Sequence, residues 1–443
     1  MSNAAGGARA ARSPAKPADV LEAIAANAVQ SVDLRYSVAG GAWCSAGVPA
    51  ERLDANALLT GIPLEPGALL VPDLDSAYLD GQSAAPSLVL ICDLVGHSDE
   101  DPRRLAKRAE ARLSASGIAD SLQIAAELRY YVFDAIGYEN APDATGYRIE
   151  AGSAAGLDAL RAEILVALRV NGIEVAVQRA IARSPAQTAL ELRPRSLLRA
   201  ADALLCAKHT VRAVVERRGK SATFMPKPLA GSPGSALRVG LSLLKDGKSP
   251  FFDKDGWACA SQTLLFFVGG LLTHADSLLA LCAPSANSYT RLAAAEQPLL
   301  VAFGPSHAAT AVAVDPPGRA EAKHPRIDFR PPDASANPYL AFAALLCAGL
   351  DGVERRIDPI SAGFGPLEAV VPRGRTAAAK LRRLAPTLGA ALDALAADNA
   401  YLTAGDVFGD AFIRRWSEAR RAREVTPLEA RPHPFEYELS YDC

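Results

Sequence analysis

The 443-residue sequence lacks the short signatures that assign a chemistry at sight. It has no GxxxxGK[ST], no GxSxG and no GxGxxG opening a helix. Phosphate cradles and nucleophile elbows of those kinds are thereby excluded. Its 7 cysteines form no CxxC pair, and its 6 histidines form no HExxH or other paired spacing. The pattern argues against a zinc site, and the odd, scattered thiols read as reduced cysteines of a cytoplasmic protein. No apolar run approaches the roughly 20 residues of a membrane span. The N-terminus carries no apolar signal core. Charge of one sign is missing too: 47 basic residues face 49 acidic ones, for a net charge of −2. That balance excludes a dedicated nucleic-acid binder or a polybasic membrane anchor. No fixed-period repeat is present.

What remains is a chain that folds. Half of it is hydrophobic and 22% is charged, enough to bury a large interior. The length suggests two or three domains. Residues 1–17 read as a disordered tail. A short helix is expected at Ala18 to Ala28, a strand at Ser31 to Tyr36, a Gly40-Gly41 turn, and a buried strand at Ser87 to Asp93. The polar loop from Gly96 to Arg103 places a domain boundary at about residue 100. Beyond it, helices are expected at Arg103 to Ser114, Ala155 to Asn171 and Ser196 to Arg218. Gly172 and Gly219 supply C-terminal stops for the last two. Glu127 to Asp134 has strand character. Later helices are expected over 259–282, 337–351 and 376–399, and a final strand over Arg431 to Tyr441. Strands and helices without regular βαβ alternation indicate an α+β fold with a largely antiparallel sheet.

Longer strings carry more. TFMPKPLAGSPGSALRVGLSLL (223–244), NSYTRL (287–292) and RIDFRPPDASANPYLAFAALLCAGLDGV (326–353) closely resemble the glutamine synthetase family. So do LLVPDLDSA (69–77), DPRRLAKRAE (101–110), ELRYYVFD (127–134) and the stretch from 398 to the C-terminus. The resemblance implies a small N-terminal β-grasp-like domain, residues 18–100, followed by a large catalytic-fold domain, 101–443. It implies ATP-dependent joining of glutamate to ammonia, or to another amine, through a γ-glutamyl phosphate. It also implies ring assemblies with active sites between neighbours. Such chemistry moves a phosphoryl group between anions, so divalent cations held by carboxylates must offset the charge.

Position by position, the family's metal ligands are largely replaced. Its E-x-E pair falls on Glu127 and Arg129. The two glutamates of its EVxPGQxE segment fall on Ala182 and Ala189. The two histidines of GSGMHxHxSL fall on Arg238 and Gly240, and the last carboxylate is Asp328. One cluster thus changes from three carboxylates to one guanidinium. A dication beside guanidiniums meets several kcal/mol of repulsion even at an effective dielectric near ~20. We therefore expect no bound metal, with Arg129 and Arg238 occupying the former ion positions and pairing with Glu127 and Asp328. Arg129→Glu with Arg238→His is the matching test by manganese calorimetry.

The resemblance marks other losses. The W-G-x-x-N-R segment that grips nucleotide phosphates is Phe303-Gly304-Pro305-Ser306-His307-Ala308, and a later arginine is Ala313. Glu296 falls near the family's flap glutamate. Gly61 to Asp73 is too short for the loop whose aspartate helps bind ammonium. Arg291 and Arg330 match arginines that contact glutamate or its phosphorylated form. Their other reading is neutralisation of Glu127, Asp328 or nearby carbonyls. Asn337-Pro338-Tyr339-Leu340 and the Phe224 to Pro228 turn read as fold-setting. His274 reads as a satisfied helix-face histidine near Asp276, and His307 and Cys443 receive no role. The leading expectation is a pseudoenzyme subunit without cofactor, acting as scaffold, regulator or ring partner of an active homologue. A glutamate–amine ligase using ATP with magnesium or manganese is the first alternative. A glutamate or dicarboxylate sensor is the second.

Overall fold

The computed structural model describes residues 15–65, 67–81, 85–96, 101–140, 145–151, 156–294, 299–306, 309–315, 325–367 and 381–440. Two compact units emerge. One runs to Asp101 without Val38–Ala42; the other comprises that short segment and the chain from Pro102 onward. Glu296, His307 and Cys443 lie outside the described residues, as do positions 1–14 of the expected tail. The remainder of that tail is ordered: Ala15 donates its N–H to Asp75 at 2.7 Å, and the first helix begins at Pro17.

The smaller unit is a five-stranded mixed sheet. Strands β1 (Ser31–Ser37), β2 (Trp43–Pro49), β3 (Ile62–Glu65), β4 (Ala68–Leu79) and β5 (Ser87–Val95) lie in the order β2-β1-β5-β4-β3. Only the β1–β5 pair is parallel. Helices α1 (Pro17–Ala26) and α2 (Ala55–Thr60) add Val20 and Leu58 to a core of Val32, Leu34, Leu70, Leu88 and Leu90. Val89 and Ile91, on the opposite face of β5, are buried as well, which explains its unbroken apolar run. The β3–β4 hairpin occupies the segment from Gly61, with Ile62 opposite Leu70 and Glu65 opposite Ala68. A tight hairpin there leaves no room for a long loop.

The larger unit is built on a ten-stranded sheet. Its strands are β6 (Ser121–Asn140), β7 (Thr145–Ala151), β8 (Val175–Ile181), β9 (Ser184–Leu192), β10 (Arg195–Ser196), β11 (Ser221–Thr223), β12 (Leu237–Leu244), β13 (Leu300–Gly304), β14 (Thr310–Val314) and β15 (Ile327–Phe329). The main path is β13-β14-β15-β12-β6-β9-β8, with β7, β10 and β11 also paired to β6. All pairs are antiparallel except β13–β14. Around the sheet lie α3 (Pro102–Ser116), α4 (Leu157–Val170), α5 (Leu197–Arg217), α6 (Gln262–Thr273), α7 (Ala275–Cys282), α8 (Ala286–Ala293) and α9 (Pro338–Glu354). Helix α9 is buried over almost its whole circumference, as an apolar-all-round sequence requires. It packs on α6 through facing glycines: a Cβ at Gly270 would stand 2.0 Å from the Ala348 carbonyl oxygen. Among the described residues no single helix is long and apolar enough to cross a membrane.

Three expected elements differ. The helix expected at 259–282 is two, α6 and α7, bent by 75° at His274. The helix expected at 376–399 begins only at Leu388, where the Thr387 side chain accepts from the Ala390 N–H at 3.1 Å. Its first part, through residue 380, lies outside the described residues, and 381–387 is not helical. The expected strand at Arg431 to Tyr441 is instead a helix, Pro434–Ser440. A seven-residue alternation fits either period, and a proline suits a first helical turn.

His274 is buried at that bend, stacked on Tyr401 at 4.0 Å. Its Nδ1 lies 2.8 Å from Asp398 and its Nε2 2.9 Å from Asp351. Asp276, the neighbour expected from sequence, instead pairs with Arg382. Burial opposes protonation of His274, but the bonds from Asp351 and Asp398 outweigh it and raise its pKa. A raised folded pKa contributes stability that is fully present below the unfolded value of ~6.5 and lost as pH rises through the folded value. The urea midpoint should therefore fall with rising pH from about 6.5 upward. His274→Gln should remove that slope; an identical slope in the variant would contradict the assignment.

Candidate functional site

Strand register brings the substituted positions together. Across β6, β9 and β8, Arg129 stands opposite Ala189, which stands opposite Arg179. Two residues along, Glu127 lies between Arg238 on β12 and Glu191 on β9. Asp328 on β15 faces Gly240 on β12 and Ala313 on β14. Directly opposite residues share a face, and so do positions i and i+2 of a strand. One face therefore carries Glu127, Arg129, Arg179, Glu191, Arg238, Arg326, Asp328 and Arg330, and Arg326 lies 3.5 Å from Glu191 as well.

Both oxygens of Glu127 are taken. Arg129 approaches Oε1 with Nε at 2.9 Å and Nη2 at 2.8 Å. Arg179 donates to Oε2 from 2.7 Å. Burial opposes ionisation of this carboxyl, but the Arg129 charge and the bonds from Arg179 and Arg129 outweigh it, lowering its pKa. Asp328 is held mainly by Arg326, whose Nε lies 2.8 Å from Oδ1. Arg238 stands farther off, its Nη1 3.9 Å from Oδ2. The expected Arg238–Asp328 pairing is thus a loose one, and Arg326 is the close partner. Arg326 also fills the space above Gly240: a Cβ there would meet its Cδ at 2.5 Å and Asp328 Oδ1 at 3.0 Å.

Arg179 and Arg326 were not singled out from the sequence. Arg326 was legible, since the R-x-D-x-R alternation of 326, 328 and 330 puts all three on one face. Arg179 required the β8–β9 register, which no local pattern announces. Ala182 lies at the turn between those strands, while Ala189 and Ala313 are buried.

The remaining positions surround a cleft of about 1750 Å³, whose lining includes Glu127, Arg129, Lys227, Arg238, Arg291 and Arg330. Arg291, on α8, is 9% exposed. Its Nη2 donates to the Pro331 carbonyl and lies 3.5 Å from Asp333. Gly234 makes room for it; a Cβ at that position would stand 2.5 Å from Arg291 Cγ. The Phe224 to Pro228 turn is pinned by Asn287, which accepts from the Lys227 N–H at 2.7 Å and donates to its carbonyl at 3.1 Å. Lys227 itself donates to the Ser232 carbonyl. Gln187 ties the following loop down through the Gly234 carbonyl at 3.1 Å and Ser235 at 3.0 Å.

A divalent-cation centre needs several oxygen or imidazole ligands free to converge. Among the described residues, no three His, Cys, Asp or Glu side chains are placed to hold a metal ion. The two carboxylates at the matching positions face guanidiniums instead. The residues present do not fit a two-metal centre.

A small mixed sheet, a large and almost wholly antiparallel sheet and a charged cleft on one face of it define the class: a two-unit α+β protein. The glutamine synthetase catalytic-domain family matches residues 99–440, and the chain belongs to the glutamine synthetase family. Curated relatives named glutamine synthetase include one from Streptomyces filamentosus, 38% identical over 77% of this chain and 78% of its own length. Another, from Streptomyces coelicolor, is 34% identical over 96% of this chain and 98% of its own. Among solved structures, Plasmodium falciparum glutamine synthetase superposes with a TM-score of 0.85 at 21% identity, covering 96% of this chain and 99% of that one. Apo GmaS superposes with a TM-score of 0.78 at 24% identity, covering 96% and 100%.

Proposed function

We propose that this family member has exchanged the two-metal centre for guanidinium–carboxylate pairs. It serves as a non-catalytic subunit: a scaffold, a regulator, or a ring partner of an active homologue. The observation that supports this reading is the double occupation of Glu127 by Arg129 and Arg179. A carboxylate that accepts from two guanidiniums already has its charge answered, and those partners repel a cation. No ATP, magnesium or manganese is required by such a subunit. Purified chain given glutamate, ammonium, ATP and manganese should form no glutamine above the uncatalysed level. A pull-down from the native host should bring along a second synthetase-like chain. Multiple turnovers by the chain alone would overturn the reading.

An ATP-dependent glutamate–amine ligase is the second reading, supported by near full-length similarity to chains named glutamine synthetase. It would use a single metal delivered with nucleotide to Glu127 and Asp328. A glutamate sensor using Arg291 and Arg330 is the third. Thermal shift separates them. Stabilisation by ATP with manganese favours the ligase, stabilisation by glutamate alone favours the sensor, and no response to either favours the subunit.

A further inference from the structure

Helix α4 is apolar on two opposite faces. Leu157, Leu160, Ile164, Ala167 and Leu168 are buried toward α5 and β8. On the other side Ala159, Ala162, Leu165, Val166 and Val170 are exposed. Val166 is 65% exposed and Val170 53%. With ~3.6 residues per turn these five form one stripe opposite the buried one. A helix that turns one face to water carries polar residues there, and a contiguous apolar outer face marks a contact surface. The exposed charges of α4 sit at the ends of the stripe: Asp158 in its first turn and Arg169 in its last. Asp158 accepts from Arg161 at 2.7 Å through one oxygen, yet its side chain is 94% exposed. Arg169 enters no ion pair among the described residues. The helix covers the side of the sheet away from the cleft. Its Arg161 donates to Thr188 at 3.1 Å, and Thr188 points opposite to its neighbour Ala189, which shares the row of Arg129 and Arg179.

We propose that this face docks on the same face of a second copy of the chain, the two α4 helices lying antiparallel about a two-fold axis. A contact of that kind needs a surface complementary to itself. When one helix is reversed against the other, Asp158 meets Arg169 of the second copy, and Arg169 meets Asp158 of the second copy. The two positions stand roughly 16 Å apart along the helix axis, so both pairs form together, one at each end of the apolar stripe. Between them Ala162 faces Leu165 of the second copy, a small residue against a large one, which lets the helices approach closely. A parallel arrangement would set like charges against each other at both ends. The same charge order suits the dipole of each helix, and antiparallel pairing uses it a second time. One helix pair buries less than a standard interface, so the contact is reversible and concentration-dependent. It lies across the sheet from the cleft and does not rest on the reading of the cleft given above.

Sedimentation of the full chain at low salt over a range of concentrations tests this. Val166→Glu places a charge from each copy in the middle of the seam and, being exposed, leaves the fold intact, which far-ultraviolet circular dichroism checks. At high concentration the natural chain should sediment with at least about twice the mass of Val166→Glu. Asp158→Arg and Arg169→Asp should each raise the concentration needed for this association at least roughly tenfold. An equal mixture of the two should restore it, because one chain then has basic charges at both ends of the stripe and the other has acidic ones. Equal masses for the natural chain and Val166→Glu would overturn the proposal and leave the face to a different partner. A mixture that associates no better than either variant alone would overturn the charge-matched antiparallel pairing.

Discussion

Asp202→Ala is expected to destabilise the protein by about 3–5 kcal/mol, the cost of stranding a buried charge. Arg103 is among the largest fully buried side chains, and both its Nε and Nη2 lie 3.1 Å from the Asp202 carboxylate. The same carboxylate accepts from the Tyr339 hydroxyl at 2.6 Å and from Arg199 at 3.2 Å. It joins α3, α5 and α9 at one point. Truncation removes the acceptor that a buried guanidinium and a buried phenol share, and that penalty falls on the folded state alone. Asp202→Asn keeps one acceptor and should lose roughly half as much. Replacing the set by apolar groups, Arg103→Met with Asp202→Leu and Tyr339→Phe, should recover part of the loss, because the fully buried guanidinium goes with its acceptor and Arg199, 31% exposed, can turn to water. Chemical denaturation gives the numbers. A loss below ~1 kcal/mol in Asp202→Ala would show that Arg103 finds another partner or water.

The second large effect concerns metal. Arg129→Glu combined with Arg179→Ala and Ala189→Glu should raise manganese affinity at least roughly 100-fold over the natural chain, or about 2.7 kcal/mol. These three positions lie in one row across β6, β9 and β8, beside Glu127. The substitutions add two carboxylates and remove both guanidiniums that bind Glu127. At an effective dielectric near ~20, a guanidinium about 4 Å from a dication costs roughly 8 kcal/mol, less where solvent screens it. Arg179 is 44% exposed, so its share is the smaller one. The simpler pair, Arg129→Glu with Arg238→His, should gain less than about tenfold. It leaves Arg179 at 2.7 Å from Glu127 and Arg326 at 2.8 Å from Asp328. Equal gains from both variants would mean that Arg179 does not guard the site.

The fold was legible to the extent that its signals were local or carried by long strings. Buried strands such as β5, and helices closed by Gly172 and Gly219, follow from apolar period and stop residues. The Asn337-Pro338-Tyr339 motif was read as fold-setting, and its chemistry agrees. Asn337 caps α9 by accepting from the Tyr339 N–H at 3.1 Å, and Tyr339 binds Asp202. Where the sequence misled, a tertiary interaction decided. The break in the 259–282 helix rests on two aspartates more than 70 residues away that clamp His274. The C-terminal segment was too short for its period to choose between helix and strand.

At the candidate site, the substituted positions were visible one by one, but not the company they keep. A charge count over Glu127, Arg129, Arg238 and Asp328 suggests two matched pairs. Strand register shows otherwise: Arg179 and Arg326 reach the carboxylates from neighbouring positions, and Arg238 is left with a distant partner. Cross-strand neighbours are fixed by register, which single-sequence patterns do not encode.

The account turns on whether the cleft admits a divalent cation. Titrating the natural chain with manganese, followed by electron paramagnetic resonance of the free ion, answers this most directly. Guanidiniums bound to Glu127 and Asp328 predict no saturable site at submillimolar manganese, with or without ATP. Two tight sites per chain, lost in Glu127→Gln, would contradict the account and return this protein to the metal-dependent ligases.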